Sequence, residues 1–166
     1  MKKNFWIGKR VAITGHTGFK GSWLSLWLRV MGAEVSGYAL DPLTKPNLFY
    51  LCDLASDIDN RIGDVRDISR IDRWLKEFKP DIVFHLAAQP IVQTSYESPV
   101  ETYEVNMMGT VNVLQSSLMV DSVKTLVNVT TDKCYENFDW VWGYRESDRI
   151  GGSDPYSSSK GCSELI

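Results

Sequence analysis

Short apolar runs alternate along this chain with longer stretches whose apolar residues recur at helical spacing. Arg10-Val-Ala-Ile-Thr14 reads as a strand covered on both faces, as parallel strands are. From Ser22 to Met31, Trp23, Leu24, Trp27, Leu28 and Met31 fall at helical intervals, and Gly32 suits the left-handed residue just past a helix end. A second strand is expected over residues 34–40, a loop over residues 41–57, and a short third strand over residues 61–64. Ile68 to Phe78 is helical, Pro80 separates it from a strand over residues 81–87, and Pro99 opens a long helix running to about Val120. A fifth strand is predicted over residues 125–131, an aromatic loop over residues 139–152, and a last helix with Asp154 as N-cap and Pro155 at N1. Strands alternating with helices in this way predict an α/β fold: a doubly wound, Rossmann-like parallel sheet of order 3-2-1-4-5. A ligand crevice then lies at the carboxyl ends of strands 1 and 4.

Composition narrows the picture by exclusion. A chain of 166 residues suits one domain with a real core, and 43% hydrophobic and 23% charged residues are ordinary for a globular protein. A net charge of −3 with scattered basic residues carries no nucleic-acid footprint. Arg29 and Glu34 interrupt the longest apolar candidate, well short of the roughly 20 residues of a membrane span. The opening Met1-Lys-Lys-Asn-Phe-Trp6 is basic but lacks the apolar core of a signal peptide. Cys52, Cys134 and Cys162 lack metal-ligand spacing, so no metal site is expected, and their odd number suits a reducing cytoplasm.

Two motifs carry chemistry. Gly15, Gly18 and Gly21 follow a strand and open a helix, the context of a dinucleotide-binding turn. The first glycine permits the tight turn, the second lets the backbone approach a diphosphate, and the third brings helix against strand. The helix N-terminus adds N–H donors and positive potential for the anion. Asp41 either accepts from ribose hydroxyls, which favours NAD, or begins a turn with Pro42; Asp64 either takes the adenine amino group or is a turn residue. Far downstream, Tyr156 and Lys160 stand four apart and so share a helix face. A phenol titrates near 10, and a neighbouring ammonium lowers that value toward that of a usable base. Thr131 could donate to the same substrate hydroxyl.

These segments jointly resemble a known family. Thr14-Gly-His-Thr-Gly-Phe-Lys-Gly-Ser-Trp-Leu24, His85-Leu-Ala-Ala-Gln-Pro90, Gly143-Tyr-Arg-Glu-Ser-Asp148 and Gly151-Gly-Ser-Asp-Pro-Tyr-Ser157 look like the CDP-glucose 4,6-dehydratases, which are extended short-chain dehydrogenases. The resemblance implies NAD as cofactor. Gly15, Thr17, Gly18, Phe19, Gly21, Asp41, Asp64, Val65, Leu86, Ala87, Ala88, Asn106, Tyr156 and Lys160 would hold it. Tyr156 would take the C4 hydroxyl proton as hydride leaves C4, assisted by Thr131, while Lys160 holds the nicotinamide ribose. Asp132 would protonate the departing C6 hydroxyl. Lys133 stands where many dehydratases have Glu. It acts as the C5 base only if burial or nearby positive charge removes its own charge; otherwise it steadies an enolate. Gln89 and Ser95 are expected to reach the sugar nucleotide, CDP-glucose or a relative.

Other residues keep two readings. His16 is a loop-packing residue or a phosphate contact, and His85 a hydrogen-bonded core residue. Asn106 anchors backbone or fills an interior polar gap; Trp140 and Trp142 cover the sugar or plug their own loop.

The resemblance covers about the first half of such a protein. Residues 1–166 are therefore expected to be an incomplete NAD-binding domain, C-terminally truncated, with the sixth strand and the substrate domain absent. Alone, it should not turn over CDP-glucose. A homodimer through the long helix (98–120) and the Tyr156 helix, and a cytoplasmic place in deoxysugar synthesis for surface polysaccharide such as O-antigen, follow from the same resemblance. The alternatives are a sugar-nucleotide 4-epimerase, a non-catalytic nucleotide-binding or interaction module, and a remnant.

Overall fold

The computed structural model describes residues 5–166, so most of the basic N-terminal stretch examined for a leader lies outside the described residues. Contact density divides the described residues into two units, one of residues 5–87 with 112–129 and one of residues 88–111 with 130–166.

In the first unit, β1 (Arg10–Thr14), β2 (Glu34–Ala39), β3 (Asp59–Ile62), β4 (Ile82–His85) and β5 (Thr125–Asn128) form a sheet of order β3-β2-β1-β4-β5. Every pairing is parallel, which bears out the expected doubly wound topology. β1 lies at the centre, and Val11, Ala12 and Ile13 have no exposed surface. On one side α1 (Phe19–Val30) closes the core with Leu28, beside Ala33, Val35 and Ile58. The buried face of α1 is Gly21, Ser22, Ser25 and Leu28; Trp23 and Trp27 face solvent, 53% and 60% exposed. The small residues are what let the helix approach the sheet. The helix ends as expected, with Gly32 at φ +88°. From α4 (Ile68–Phe78), Trp74 stacks on Tyr38 at 5.3 Å and donates Nε1–H to Ser36 Oγ at 2.7 Å.

Several boundaries differ from the sequence reading. The segment expected to be a loop holds two one-turn helices, α2 (Leu48–Leu51) and α3 (Leu54–Asp57). Asn47 caps the first by accepting from Tyr50 N at 2.9 Å, and Phe49 and Leu54 bury their side chains, so local capping and anchoring override the polar composition. β3 runs two residues earlier than expected because its register pairs Ser36 with Asp59 and Ala39 with Ile62. β5 stops at Asn128, not Thr131. Its partner β4 ends at His85, where Val129 N makes the last bond of the ladder to His85 O at 2.9 Å.

In the second unit, α5 (Val92–Glu97) and α6 (Pro99–Tyr103) lead into a π-helical turn, Glu104–Met108, and the start of α7 (Gly109–Leu118). The helix expected from Pro99 is thus interrupted. Gly109 N reaches back five residues to Glu104 O, and the Asn106 carbonyl accepts from the hydroxyls of Thr110 (2.7 Å) and Ser163 (2.6 Å). A 3₁₀ turn, Asp132–Cys134, precedes the aromatic loop, and α8 (Pro155–Leu165) closes the unit. Asp154 caps α8 through Oδ1 to Ser157 N (2.9 Å) and Oδ2 to Ser157 Oγ (2.6 Å). The buried side of α8 is Ser157, Ser159, Lys160, Gly161 and Ser163, and apart from Lys160 these are small residues that bring the helix close to α6 and the 3₁₀ turn.

Candidate active site

The first unit carries the glycine loop. Gly15 sits at φ +75°, and a Cβ there would fall 2.7 Å from Ala87 N. A Cβ on Gly21 would fall 2.1 Å from the Gly15 carbonyl oxygen, so helix and turn meet backbone to backbone. Gly18 is the N-cap of α1, with no side chain capping the helix and no acidic residue in its first turn. This leaves the amides and the positive end of the helix to an anion, as the diphosphate of a dinucleotide requires. Phe19 is exposed at the mouth of this turn. Thr17 packs the loop instead, donating to Leu40 O at 2.7 Å. His16 is wholly buried, bonded through Nε2 to Asn60 Oδ1 at 2.7 Å and edge-on to Phe49 at 5.3 Å. Burial holds its imidazole below the usual histidine value despite the Asn60 bond. It is the loop-packing residue of the two readings.

Thr14, which sequence reasoning passed over, organises the neighbouring strand ends. Its buried hydroxyl accepts from Leu86 N (3.1 Å) and Ala87 N (3.2 Å) and lies 2.6 Å from His85 Nδ1. With both lone pairs used, the hydroxyl proton points to His85 Nδ1, which fixes the Nε2–H tautomer of that buried ring. His85 is thus a hydrogen-bonded core residue. Among the described residues Asp41 is exposed and makes no hydrogen bond. Asp64 lies two residues beyond β3 and grips Arg66 Nη2 at 2.6 Å and Arg66 N at 2.8 Å. That guanidinium holds its carboxyl below the usual range. Val65, beside it, is buried and its carbonyl accepts from Asn112 at 3.0 Å.

The second unit carries the acid–base candidates. Tyr156 and Lys160 stand one turn apart on α8, Tyr156 half-buried and Lys160 buried. Thr131 is the N-cap of the 3₁₀ turn, accepting from Lys133 N at 3.3 Å and donating to Asp132 Oδ1 at 3.1 Å. The turn packs against α8, so Thr131, Asp132 and Lys133 share a unit with Tyr156 and Lys160. Asp132 and Lys133 are both exposed. Lys133 lends positive charge to Asp154. Burial raises that carboxyl, and the Ser157 bonds together with this charge outweigh burial and lower it.

Asn106 anchors backbone: its carboxamide accepts from Gln89 N (2.8 Å) and donates to Gln89 O (3.1 Å) and Ser159 Oγ (2.9 Å). Ala88, next to that anchor, is half-buried. The Gln89 side chain is folded onto Ile91 and Thr102, and Ser95 is wholly buried with its hydroxyl on Val92 O at 2.6 Å. Gln89 is half-buried and Ser95 buried. Trp140 packs on Phe138 at 5.1 Å and Trp142 at 5.7 Å, while Tyr135 stacks on Tyr144 at 5.3 Å, so the loop's rings contact one another. Sequence reasoning also missed Ser159, Ser163 and Glu164; the signal available was the run of small residues along α8.

Comparison with known proteins places these features in a lineage. Residues 12–166 match the family model described as GDP-mannose 4,6 dehydratase. A CDP-glucose 4,6-dehydratase of Salmonella typhimurium is 59% identical over 164 residues, 99% of this chain and 46% of that protein. A UDP-glucose 4-epimerase of Thermus thermophilus, solved with NAD, superposes with a TM-score of 0.80 at 29% identity, covering 94% of this chain and 49% of that one. MoeE5, solved with UDP-glucose and NAD, gives 0.75 at 27% identity, covering 94% and 47%. The chain spans about half the length of the relatives it matches.

Proposed function

Because the chain belongs to the GDP-mannose 4,6 dehydratase family, we propose that it carries the cofactor-binding and catalytic residues of a sugar-nucleotide 4,6-dehydratase acting on CDP-glucose. The observation that carries this reading is the Thr131-Asp132-Lys133 turn packed on the helix that bears Tyr156 and Lys160. An epimerase needs only the proton-handling pair; the added acid and amine suit an elimination.

NAD⁺, when bound, would supply the hydride acceptor for C4 and the hydride donor for C6. Gly15, Gly18 and Gly21 fit its diphosphate, since no side chain occupies or caps that turn. Tyr156, as phenolate, takes the C4 hydroxyl proton, and the Lys160 ammonium stabilises that phenolate. Thr131 donates to the same oxygen. The C4 ketone acidifies C5–H, and Asp132 protonates the departing C6 hydroxyl, so water leaves across C5–C6. Lys133, exposed beside Asp132, fits the role of holding the enolate, and the C5 proton goes to another base, which gives a proton back to C5 when C6 takes up hydride. C4 ends oxidised, C6 reduced, with no net redox change. The same reading assigns the protein to cytoplasmic deoxysugar synthesis for surface polysaccharide. It also assigns α6–α7 and α8 to a dimer contact.

The test joins this chain to the C-terminal part of the Salmonella relative and supplies CDP-glucose and NAD⁺. A product lighter by one water supports the proposal; CDP-galactose of unchanged mass would make the protein an epimerase.

A further inference from the structure

We propose that Glu164 is a positioning residue that fastens both ends of the Thr131-Asp132-Lys133 turn to α8. The inference rests on the dehydratase reading only for what the turn does, not for the attachment itself. Glu164 lies one turn beyond Lys160, near the end of α8. A single carboxylate oxygen, Oε1, accepts from the Thr130 hydroxyl and from the Cys134 thiol, the latter at 3.8 Å. Thr130 immediately precedes the turn and Cys134 is its last residue. The acceptor thus brackets the three side chains assigned to proton donation and elimination.

Besides Glu164, the turn is tied at its far end by Gly151 N to Cys134 O at 2.9 Å and by the Tyr135–Ile150 bridge that follows it. Its own bonds are short-range: Cys134 N to Thr131 O at 3.2 Å, Tyr135 N to Asp132 O at 3.1 Å, and the Thr131 cap. Asp132 and Lys133 are exposed, and Cys134 supplies the one fully buried side chain of the turn. Gly161 faces this corner: a Cβ there would make an ordinary contact with Cys134 O at 3.6 Å and a tight one with Ile150 Cγ2 at 3.1 Å. Tyr156, Lys160 and Glu164 follow at intervals of four on one helix. Rotation of α8 therefore moves the base, its ammonium and the turn's fastening together. A charge-assisted acceptor suits this duty because hydrogen bonds to an ionised group are the stronger kind.

Glu164 also acts on Cys134 directly. Burial first, and the Glu164 charge next, push that thiol up to about 11, which keeps it unreactive. The thiol is therefore a reporter of the fastening that needs no catalysis.

The experiment compares wild type, Glu164→Ala and Glu164→Gln in the full 166-residue chain. Hydrogen exchange is read on peptides covering residues 131–136, and iodoacetamide labelling of Cys134 is resolved by peptide mass. In Glu164→Ala, both rates rise by about tenfold or more while peptides of α4 and the body of α8 are unchanged. Glu164→Gln keeps an acceptor oxygen in place and holds exchange within about threefold of wild type. In turnover of CDP-glucose by the chain joined to the C-terminal part of the Salmonella relative, Glu164→Ala lowers kcat by about tenfold with KM little changed, and Glu164→Gln recovers most of it. Unchanged exchange and labelling in Glu164→Ala overturn the proposal, and so does loosening of the whole of α8 in both variants. If wild type gives no dehydrated product, the dehydratase reading fails, and the exchange measurements still decide the fastening.

Discussion

Gly21→Ala is the substitution that most sharply separates packing from propensity in this fold. In an ordinary helix the change adds stability, by about 0.5–1 kcal/mol, because glycine loses more conformational freedom on folding. Here the new Cβ would stand 2.1 Å from Gly15 O, 2.7 Å from Gly15 C and 2.8 Å from His16 Cα. All three are backbone atoms, in a turn held by Gly15 N to Tyr38 O (3.0 Å) and Gly18 N to Gly15 O (3.1 Å), so no side chain can swing aside. Overpacking of this kind costs about 1–3 kcal/mol, enough to reverse the sign of the propensity gain. A net loss of about 1–2 kcal/mol lowers Tm by roughly 2–8 °C for a chain of this size. Displacing the turn also weakens NAD⁺ binding by about tenfold or more, equivalent to about 1.4 kcal/mol. Thermal unfolding and calorimetric NAD⁺ titration read both effects, with Gly143→Ala as control because nothing lies within 4 Å of its added Cβ. A Gly21→Ala chain at least as stable as wild type, binding NAD⁺ equally well, would refute the close-approach argument.

Two further substitutions test local features. Asp154→Ala removes the cap of α8 and costs about 1 kcal/mol, seen as a lower denaturant midpoint; an unchanged midpoint would mean that the cap contributes nothing. His16, held below its usual value by burial, binds its proton less readily folded than unfolded, so its contribution is complete above about pH 6.5 and lost as pH falls below it, at up to about 1.4 kcal/mol per pH unit. Urea midpoints between pH 7.5 and 5 should fall less steeply in His16→Gln than in wild type, and equal slopes would remove His16 as the titrating group.

The sheet was legible because its signal is local: buried apolar runs of four or five residues between helices admit few topologies. The ends of strands were less so. Whether β5 continues to Thr131 depends on where β4 loses its partner, and that is decided by Thr14 and Leu86, far away in sequence. The tryptophans of α1 illustrate a related limit. Periodicity finds the helix but cannot say which face is buried, and here the buried face is made of glycine and serine. The glycine loop, Tyr156 and Lys160 were readable from spacing alone, since their geometry follows from one turn and one helix. Gln89 and Ser95 entered through resemblance, which says nothing of the bonds that engage these side chains in the protein itself. Glu164 escaped notice because its partners are hydroxyl and thiol groups some thirty residues away.

The central claim, that the residues of this chain oxidise C4 and then eliminate across C5–C6, is tested most directly by isotope tracing. CDP-glucose deuterated at C4 is given to the chain joined to the C-terminal part of the Salmonella relative, with unlabelled NAD⁺. The account predicts a 4-keto-6-deoxy product carrying the deuterium at C6. Deuterium found at C4 of CDP-galactose, or a dehydrated product without deuterium at C6, would contradict it.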